Sequence, residues 1–146
     1  MIRIHAPAPS EFDQFLPLWR DYLRFYQHDL PDEVTAQTWA RFMDTAEPMH
    51  IWAAIEDERW LGFATYVVHR STWARTGYCY LEDLYVGEAD RDRGAARLLI
   101  EAVADAARMA GWERLYWVTD KGNDRARSLY DRLARPMDFI QYQKPL

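Results

Sequence analysis

The sequence predicts an α+β domain built on one sheet, and three features of the chain support that prediction. Apolar residues recur at helical spacing in some segments and form strand-length runs in others. The predicted order ends in strand, helix, strand, helix and strand, which implies one parallel β-α-β crossover. The length of 146 residues fits a single domain, residues 1–146, with a substantial core.

The N-terminal third is predicted to hold a short strand and two helices. Ile2–His5 is strand-like, and Ser10 is the predicted N-cap of the helix that follows. From Phe12 to Tyr26 apolar residues recur at i, i+3, i+4 and i+7, as expected of an amphipathic helix. After a polar hinge at residues 28–33, a second helix has three apolar residues on one face: Val34, Trp39 and Phe42.

In the middle of the chain the apolar pattern changes from helical to strand spacing. Met49–Ile55 and Trp60–Val68 flank the acidic turn at residues 56–58, which predicts an antiparallel hairpin. A loop over residues 70–76 leads to a longer predicted strand, Tyr78–Val86, which contains two acidic residues.

The C-terminal part is predicted to alternate helix and strand. A helix over Arg93–Ala110 ends at Gly111, a typical C′ residue. Its expected buried stripe consists of Leu98, Leu99, Ala102, Val103 and Ala106. The remaining predicted elements are a strand, a helix and a last strand: Glu113–Thr119, Asn123–Leu133 and Phe139–Gln143.

Composition and charge exclude several classes of function. The net charge is −5, with no basic surface for nucleic acid, and no apolar run approaches the roughly 20 residues of a membrane span. Cys79 is the sole cysteine, so no intrachain disulfide can form, which favours a reducing compartment. The four histidines lack ligand spacing, and we predict no metal. We therefore expect a cytoplasmic protein without a nucleic-acid or membrane partner.

Aromatic residues make up 15% of the chain, more than a core requires. Most are expected to pack in the core and on the surface, because large rings dominate packing energetics. The alternatives are a surface for self-association and an aromatic-lined substrate cleft.

Residues 85–96 run directly from the predicted strand into the predicted helix. The first turn of a helix has N–H groups without intrahelical partners, and its positive dipole end favours anions such as a diphosphate. Small side chains at residues 94–96 allow close approach, and charge-assisted contacts can come from Arg91, Arg93 and Arg97. Neither a Walker nor a Rossmann glycine pattern is present. The alternative is a plain helix entry with a solvated arginine cluster.

These residues resemble a known family, the GCN5-related N-acetyltransferase (GNAT) superfamily. The sequence Arg91-x-x-Gly94-x-Ala96 matches its acyl-CoA signature, Arg/Gln-x-x-Gly-x-Gly/Ala. The preceding Tyr80–Val86 is similar to its fourth strand, and Asn123-x-x-Ala126-x-x-Leu129-Tyr130 is similar to its second motif. The motifs occur in the family's order, and the resemblance covers residues 50–146 well.

Within the superfamily, the chain is most similar to the diamine/polyamine acetyltransferase and Hpa2-like subgroup. The strand Leu81–Val86 and the ending Phe139-Ile140-x-Tyr142 support this. One departure is the absence of the glycine that often follows the tyrosine of the second motif, where this chain has residues 131–136 without glycine. This departure concerns the turn and nearby substrate contacts, and it leaves the cofactor signature intact.

The resemblance implies both the fold and the cofactor site. The implied fold is a three-layer α/β arrangement, with a mixed, mostly antiparallel sheet, parallel and splayed fourth and fifth strands, a bulge in the fourth, and helices on both faces. Acetyl-CoA is the implied cosubstrate. Its pantetheine arm would pair with Leu84, Tyr85 and Val86. Its diphosphate would accept N–H bonds from Arg91, Asp92, Arg93, Gly94, Ala95 and Ala96. Its pantetheine or its thiol end would meet Asn123 and Ala126, although Asn123 is also a natural helix N-cap.

The implied chemistry is direct attack of a neutral amine on a thioester, and it assigns two catalytic roles. An alkylamine has a pKa near 10.4 by analogy with Lys, so it must lose a proton. Glu82 is the candidate base, directly or through a water, with Asp83 as the alternative. Tyr130 would protonate the leaving sulfur, because an unperturbed phenol stays protonated below about pH 10. Strand alternation sends Glu82 and Asp83 to opposite faces unless a bulge intervenes.

The predicted function is therefore transfer of an acetyl group from acetyl-CoA to a primary amine of a small cationic acceptor, such as a polyamine or a lysine-like amino acid. The hinge acids Asp29, Asp32 and Glu33 can join the strand acids around this amine. The alternatives are a protein or peptide lysine acetyltransferase and a non-catalytic acyl-CoA-binding module. The resemblance also implies a homodimer.

Overall fold

The computed structural model describes residues 1–146. Its strands and α-helices are β1 Arg3–His5, α1 Phe12–Phe25, α2 Asp32–Phe42, β2 Met49–Glu56, β3 Arg59–His69, β4 Tyr78–Val86, α3 Ala95–Ala110, β5 Arg114–Tyr116 and α4 Asp124–Leu133. Short 3₁₀ helices at Pro9–Glu11 and Glu88–Asp90 precede α1 and α3. None of the helices has the length and apolar content needed to cross a membrane.

The strands form one mixed sheet in the order β1-β2-β3-β4-β5, which confirms the predicted fold class. β1 to β4 pair antiparallel, and α3 connects β4 to its parallel neighbour β5. Asp57 and Glu58 form the turn between β2 and β3 with φ of 50° and 62°. This left-handed geometry is typical of a two-residue hairpin turn.

Alternation along β2 and β3 divides the core between the two faces of the sheet. Ala53 and Phe63 are buried in the cluster that includes the rings of α1 and α2. Their neighbours Ala54 and Ala64 are buried on the opposite face, in the cluster that includes α3. Helices therefore cover both faces, as the three-layer prediction requires.

The start of α1 differs from the prediction that Ser10 is its N-cap. Pro9 starts a 3₁₀ turn before the helix, and Ser10 lies inside that turn. The carboxylate of Glu11 accepts the hydrogen bond from the amide of Ala8 at 2.7 Å. A proline at the first turn is compatible with helical φ, which explains why the turn begins before Ser10.

Two predicted apolar faces are rotated in the structure. Leu98 is 40% exposed, and the buried residues of α3 are Ala95, Leu99, Ile100, Val103 and Ala107. Residues 98 and 100 lie about 200° apart around a helix, so α3 cannot bury both against the sheet. Val34 of α2 is likewise exposed, and Thr35 is buried in its place.

The predicted last strand, Phe139–Gln143, is wrong. This segment has no secondary structure, no backbone hydrogen bond lies beyond Ala134, and Phe139 and Tyr142 are more than four-fifths exposed. A strand needs a neighbour for its backbone groups, and no strand edge of the chain pairs with this segment. The predicted strand Glu113–Thr119 is also too long, because β5 covers only Arg114–Tyr116. Beyond Tyr116 the neighbouring strand β4 diverges, so the backbone there has no strand to pair with.

Candidate active site

A groove begins where β4 leaves its parallel neighbour. β4 and β5 pair only through Tyr78–Tyr80 and Arg114–Tyr116, so the C-terminal half of β4 has no neighbour on that side. Leu84–Val86 of this half line a groove of about 570 Å³, together with the following loop, the start of α3 and part of α4. All the predicted cofactor residues line this groove except Arg93.

The loop between β4 and α3 leaves backbone amides free at the groove. Gly94 has φ of 89°, a conformation that glycine adopts without strain, and it precedes α3 without any side-chain cap. The N–H of Leu98 donates to the Gly94 carbonyl at 3.1 Å, so the amides of residues 95–97 have no intrahelical acceptor. These amides and the positive helix end make a site for an anion such as a phosphate.

An ion-pair cluster fixes the same loop to β3. The buried carboxylate of Asp90 accepts hydrogen bonds from Arg59 at 2.8 and 2.9 Å and from Arg93 at 3.2 Å. These bonds, those of Arg59 above all, hold the pKa of Asp90 below its usual value. Arg93 also pairs with Glu56 at 2.5 Å. Its side chain is thus engaged in holding the loop, which explains why it is absent from the groove lining.

Four arginines give the groove a positive lining in a chain whose net charge is −5: Arg91, Arg97, Arg125 and Arg132. Arg97 and Arg132 make no ion pair or hydrogen bond within the chain, whereas Arg91 donates to the carbonyl of Val86 at 3.2 Å. Free amides beside several guanidinium groups fit the phosphates of an acyl-CoA.

The end of the groove at α4 contains Asn123, Ala126 and Tyr130. The side-chain oxygen of Asn123 accepts a hydrogen bond from the amide of Ala126 at 3.4 Å, so Asn123 is the N-cap of α4. The structure therefore gives Asn123 a capping contact while also placing it in the groove wall.

A β-bulge in β4 decides where the two strand acids point. Thr65 of β3 pairs with Asp83, whereas the next residue, Tyr66, pairs with Leu81, so Glu82 is an extra residue without a partner. A bulge breaks the strict alternation of side chains along a strand. As a result Glu82 and Asp83 line the same cleft, where regular alternation would separate them.

This second cleft has a volume of about 360 Å³ and is lined mainly by aromatic and apolar side chains around the two acids. Its residues are Trp19, Tyr22, Leu23, Tyr26, His28, Leu30, Thr38, Phe42, Met49, Thr65, Glu82 and Asp83. Two carboxylates and no lysine or arginine make the cleft suitable for a cationic ligand with an apolar chain. Part of the aromatic excess therefore lines a cleft.

The two acids have different surroundings. Both oxygens of Asp83 accept hydrogen bonds, from the Tyr22 hydroxyl at 2.7 Å and from the Thr65 hydroxyl at 2.5 Å. Burial raises the pKa of Asp83, and these two bonds oppose the rise. Burial, and then the charge of Asp83, raise the pKa of Glu82, which has no hydrogen-bond partner within the chain. Glu82 is therefore the acid that is free to exchange a proton with a ligand.

The groove and the cleft adjoin, because Tyr22 and Tyr26 line both of them. Tyr130 lines the groove and packs edge-on against Trp117, with ring centroids 5.5 Å apart. Burial first, and then the nearby Tyr26, raise the pKa of Tyr130 to about 12. Its hydroxyl consequently keeps its proton at neutral pH and can donate.

The hinge acids do not surround the cleft as the sequence analysis expected. Asp29, Asp32 and Glu33 are absent from its lining, and the hinge contributes His28 and Leu30 instead. Asp32 is exposed in the first turn of α2, where a carboxylate is stabilised by the helix dipole.

The structure adds residues that the sequence did not single out, among them Tyr22, Tyr26, Thr65 and Arg125. Tyr22 and Tyr26 have the same helical spacing as the core residues of α1, so periodicity alone cannot distinguish these two cleft residues from core residues. Arg125 follows Asn123 by two positions, and its place beside the groove could have been inferred from the second motif.

Comparison with known proteins gives a family match that covers most of the chain. Residues 12–134 match the model described as the acetyltransferase (GNAT) family. D-amino-acid N-acetyltransferase HPA3 of Saccharomyces cerevisiae is 35% identical over 147 residues, covering 98% of this chain and 90% of that protein. Thialysine N-epsilon-acetyltransferase of Caenorhabditis elegans is 35% identical over 137 residues, covering 94% of this chain and 82% of the relative.

Among solved structures, aminoglycoside N-acetyltransferase AAC(6')-Iy in complex with CoA has a similar fold. Its TM-score is 0.85 at 17% identity, with 99% of this chain and 95% of that chain covered. At this identity the likeness concerns the fold.

Proposed function

The chain belongs to the acetyltransferase (GNAT) family and is an N-acetyltransferase that uses an acyl-CoA, and on that premise we propose that it transfers an acetyl group from acetyl-CoA to a primary amine of a small cationic acceptor. The observation that carries the proposal is the bulge at Glu82, because two carboxylates then line one cleft beside the acyl-CoA groove. Polyamines and lysine-like amino acids are acceptors of this kind. The names of the two relatives likewise specify small amino compounds.

We assign the base to Glu82. A primary alkylamine is mostly protonated at neutral pH and must lose a proton before its lone pair can attack the thioester carbonyl. Glu82 has no hydrogen-bond partner within the chain, and its raised pKa makes it a better proton acceptor than an ordinary glutamate. Asp83, held by Tyr22 and Thr65, supplies a fixed negative charge that attracts the cation.

Tyr130 is the proposed acid. As the carbon–sulfur bond breaks, the electron pair goes to sulfur, and the Tyr130 hydroxyl donates a proton or a hydrogen bond to it. The pKa of about 12 supports this role, because the phenol is fully protonated at neutral pH. A backbone N–H in the diverging half of β4 would polarise the carbonyl, in the manner of an oxyanion hole.

The cofactor assignment follows the groove. Acetyl-CoA would place its pantetheine along Leu84–Val86 and its diphosphate at the amides of residues 91–96. Arg93 would take part through its backbone only, because its guanidinium is engaged by Asp90 and Glu56.

An acceptor screen by thiol release tests the proposal. Acetyl-CoA is incubated with diamines, polyamines, lysine-like amino acids, other amino acids of both configurations, and neutral or acidic amines. We expect turnover with the cationic acceptors, with diamines favoured over their amino-acid counterparts because the cleft has no lysine or arginine to bind a carboxylate. Turnover with neutral or acidic acceptors alone would reject a cationic acceptor.

Homodimerisation and a cytoplasmic location remain predictions. The dimer is supported by the apolar segment at the C-terminus, where Phe139, Ile140 and Tyr142 are exposed, since monomers rarely expose large contiguous apolar patches. Light scattering of the purified protein, with a variant ending at Met137 as the comparison, tests it.

Cys79 is buried and burial raises its pKa to about 11, so its thiol is unreactive at neutral pH.

A further inference from the structure

One ion pair spans the acyl-CoA groove between its two walls. The carboxylate of Asp92, in the loop before α3, lies 2.9 Å from the guanidinium of Arg125, in the first turn of α4. The two residues are 33 positions apart, and both line the groove.

This pair contributes little to holding the fold together. The side chains of Asp92 and Arg125 are 85% and 60% exposed, and exposed ion pairs are worth little because water and salt screen them. Asp92 also has φ of 62°, a left-handed conformation that is uncommon for residues other than glycine. A second loop acid, Asp90, is buried and bound by Arg59 and Arg93, so it already fixes the loop.

The position of Arg125 is also unfavourable for α4 itself. A guanidinium in the first turn lies near the positive end of the helix dipole, where a carboxylate would be preferred. The same position is suitable if an anion from outside the chain binds there, because Arg forms strong charge-assisted bonds with phosphate. Asp92 presents a carboxylate to the guanidinium at the distance such an anion would take.

We infer that Arg125 binds a phosphate of the acyl-CoA and that Asp92 competes with this phosphate for the guanidinium. The inference rests on the proposed function, because it requires acyl-CoA in the groove. Asp92 thus lowers the affinity for the cofactor by occupying the guanidinium that the phosphate would bind. The phosphate is either the 3′-phosphomonoester or the 5′-diphosphate of CoA, and these two sources can be distinguished.

Isothermal titration with CoA provides the test for the wild type, Asp92→Asn, Arg125→Gln and the double variant. We expect Asp92→Asn to bind CoA about threefold to tenfold more tightly and Arg125→Gln about tenfold more weakly. The double variant should match Arg125→Gln, because removing the competitor matters only while the guanidinium is present. Asparagine tolerates a left-handed φ and glutamine favours helix, so both variants should fold and melt like the wild type.

A second exposed ion pair serves as the matched control. Asp105 and Arg108 pair at 2.7 Å on α3, outside the groove lining, and Asp105→Asn or Arg108→Gln should leave CoA binding unchanged. Repeating the titrations with 3′-dephospho-CoA identifies the phosphate: the effects vanish if Arg125 binds the 3′-phosphate and persist if it binds the diphosphate.

Two results overturn the inference: weaker CoA binding by Asp92→Asn, or CoA binding by Arg125→Gln that equals the wild type. Wild-type protein that binds no CoA would remove the proposed function as well, so the two failures are distinguishable.

Discussion

The proposed acyl-CoA groove and the proposed acceptor cleft meet at Tyr22 and Tyr26, yet they are built from different groups. The groove is lined by residues between 84 and 97 and by side chains of residues 22–26 and of α4, and its anion-binding groups are backbone amides and arginines. The cleft consists of side chains from α1, the hinge after it, α2, β2, β3 and β4, which lie far apart in the chain.

The difference indicates how each region recognises its ligand. A backbone site such as the amides of residues 95–97 can bind the phosphates common to every acyl-CoA. A site made of side chains, such as Glu82 and Asp83 with aromatic rings, can change with the acceptor while the fold stays constant. Substitutions in the cleft should therefore alter turnover and acceptor KM, and substitutions in the phosphate-binding part of the groove, residues 90–97, should alter CoA affinity.

The largest expected effect is that of Glu82→Gln. Loss of the base should lower kcat by about a hundredfold to ten-thousandfold, the usual contribution of general acid–base catalysis. CoA affinity should stay unchanged, because Glu82 does not line the groove. Glu88→Gln, at an exposed position in the 3₁₀ turn after β4, is a control with the same chemistry. Full activity of Glu82→Gln would transfer the role of base to Asp83 or to water.

The pH profile sharpens the same prediction. Glu82 accepts a proton only when it is ionised, so kcat should fall as the pH drops through its pKa. Because burial raises this pKa, the fall should begin at a higher pH than an ordinary glutamate would give. The acidic limb should disappear in Glu82→Gln, and its persistence would assign the limb to another group.

Tyr130→Phe should have the next largest effect, a fall in kcat of about a hundredfold from loss of the proton donor. The ring and its contact with Trp117 are kept, so CoA affinity should change little. The exposed Tyr142, changed to Phe, provides the matched control. An unaltered kcat would exclude Tyr130 as the acid.

Asp90→Asn tests the groove side of the comparison. Loss of the charge should weaken the bonds from Arg59 and Arg93 and loosen the loop, with CoA binding weakened by about tenfold. Acceptor KM at saturating acetyl-CoA should be nearly unchanged. Because folding lowers the pKa of Asp90, its contribution to stability is complete at neutral pH and is lost as the pH falls through the folded value. Equal losses in CoA and acceptor binding would mean that the loop also shapes the cleft.

The contrast between the regions also explains what the sequence could predict. The groove lining was predictable because Arg91, Gly94 and Ala96 are close in sequence and match the acyl-CoA signature of the family that the chain resembles, at a helix start whose amides suit an anion. The side chain of Arg93 was assigned less well, because nothing local reveals that Asp90 and Glu56 engage it.

The cleft and the chain end depended on non-local pairing. The sequence identified Glu82 and Asp83, but their common orientation depends on the register between β3 and β4, which local patterns do not specify. Phe139–Gln143 has a strand-like pattern and lacks a neighbouring strand in the structure. Periodicity predicts which segments can form strands, whereas pairing decides which segments do.

The smallest expected effect is that of Tyr22→Phe, which tests whether the two regions are separate where they meet. The change removes one hydrogen bond to Asp83, so the pKa of Asp83 should rise further and its fixed charge should weaken. Acceptor KM should increase about threefold to tenfold, in line with the loss of one bond to a charged group, and the increase should be larger at low pH. CoA affinity should not change, because the ring of Tyr22 continues to line the groove. Titration with CoA beside acceptor kinetics provides the measurement. Equal changes in CoA affinity and acceptor KM would mean that the hydroxyl of Tyr22 couples the groove to the cleft.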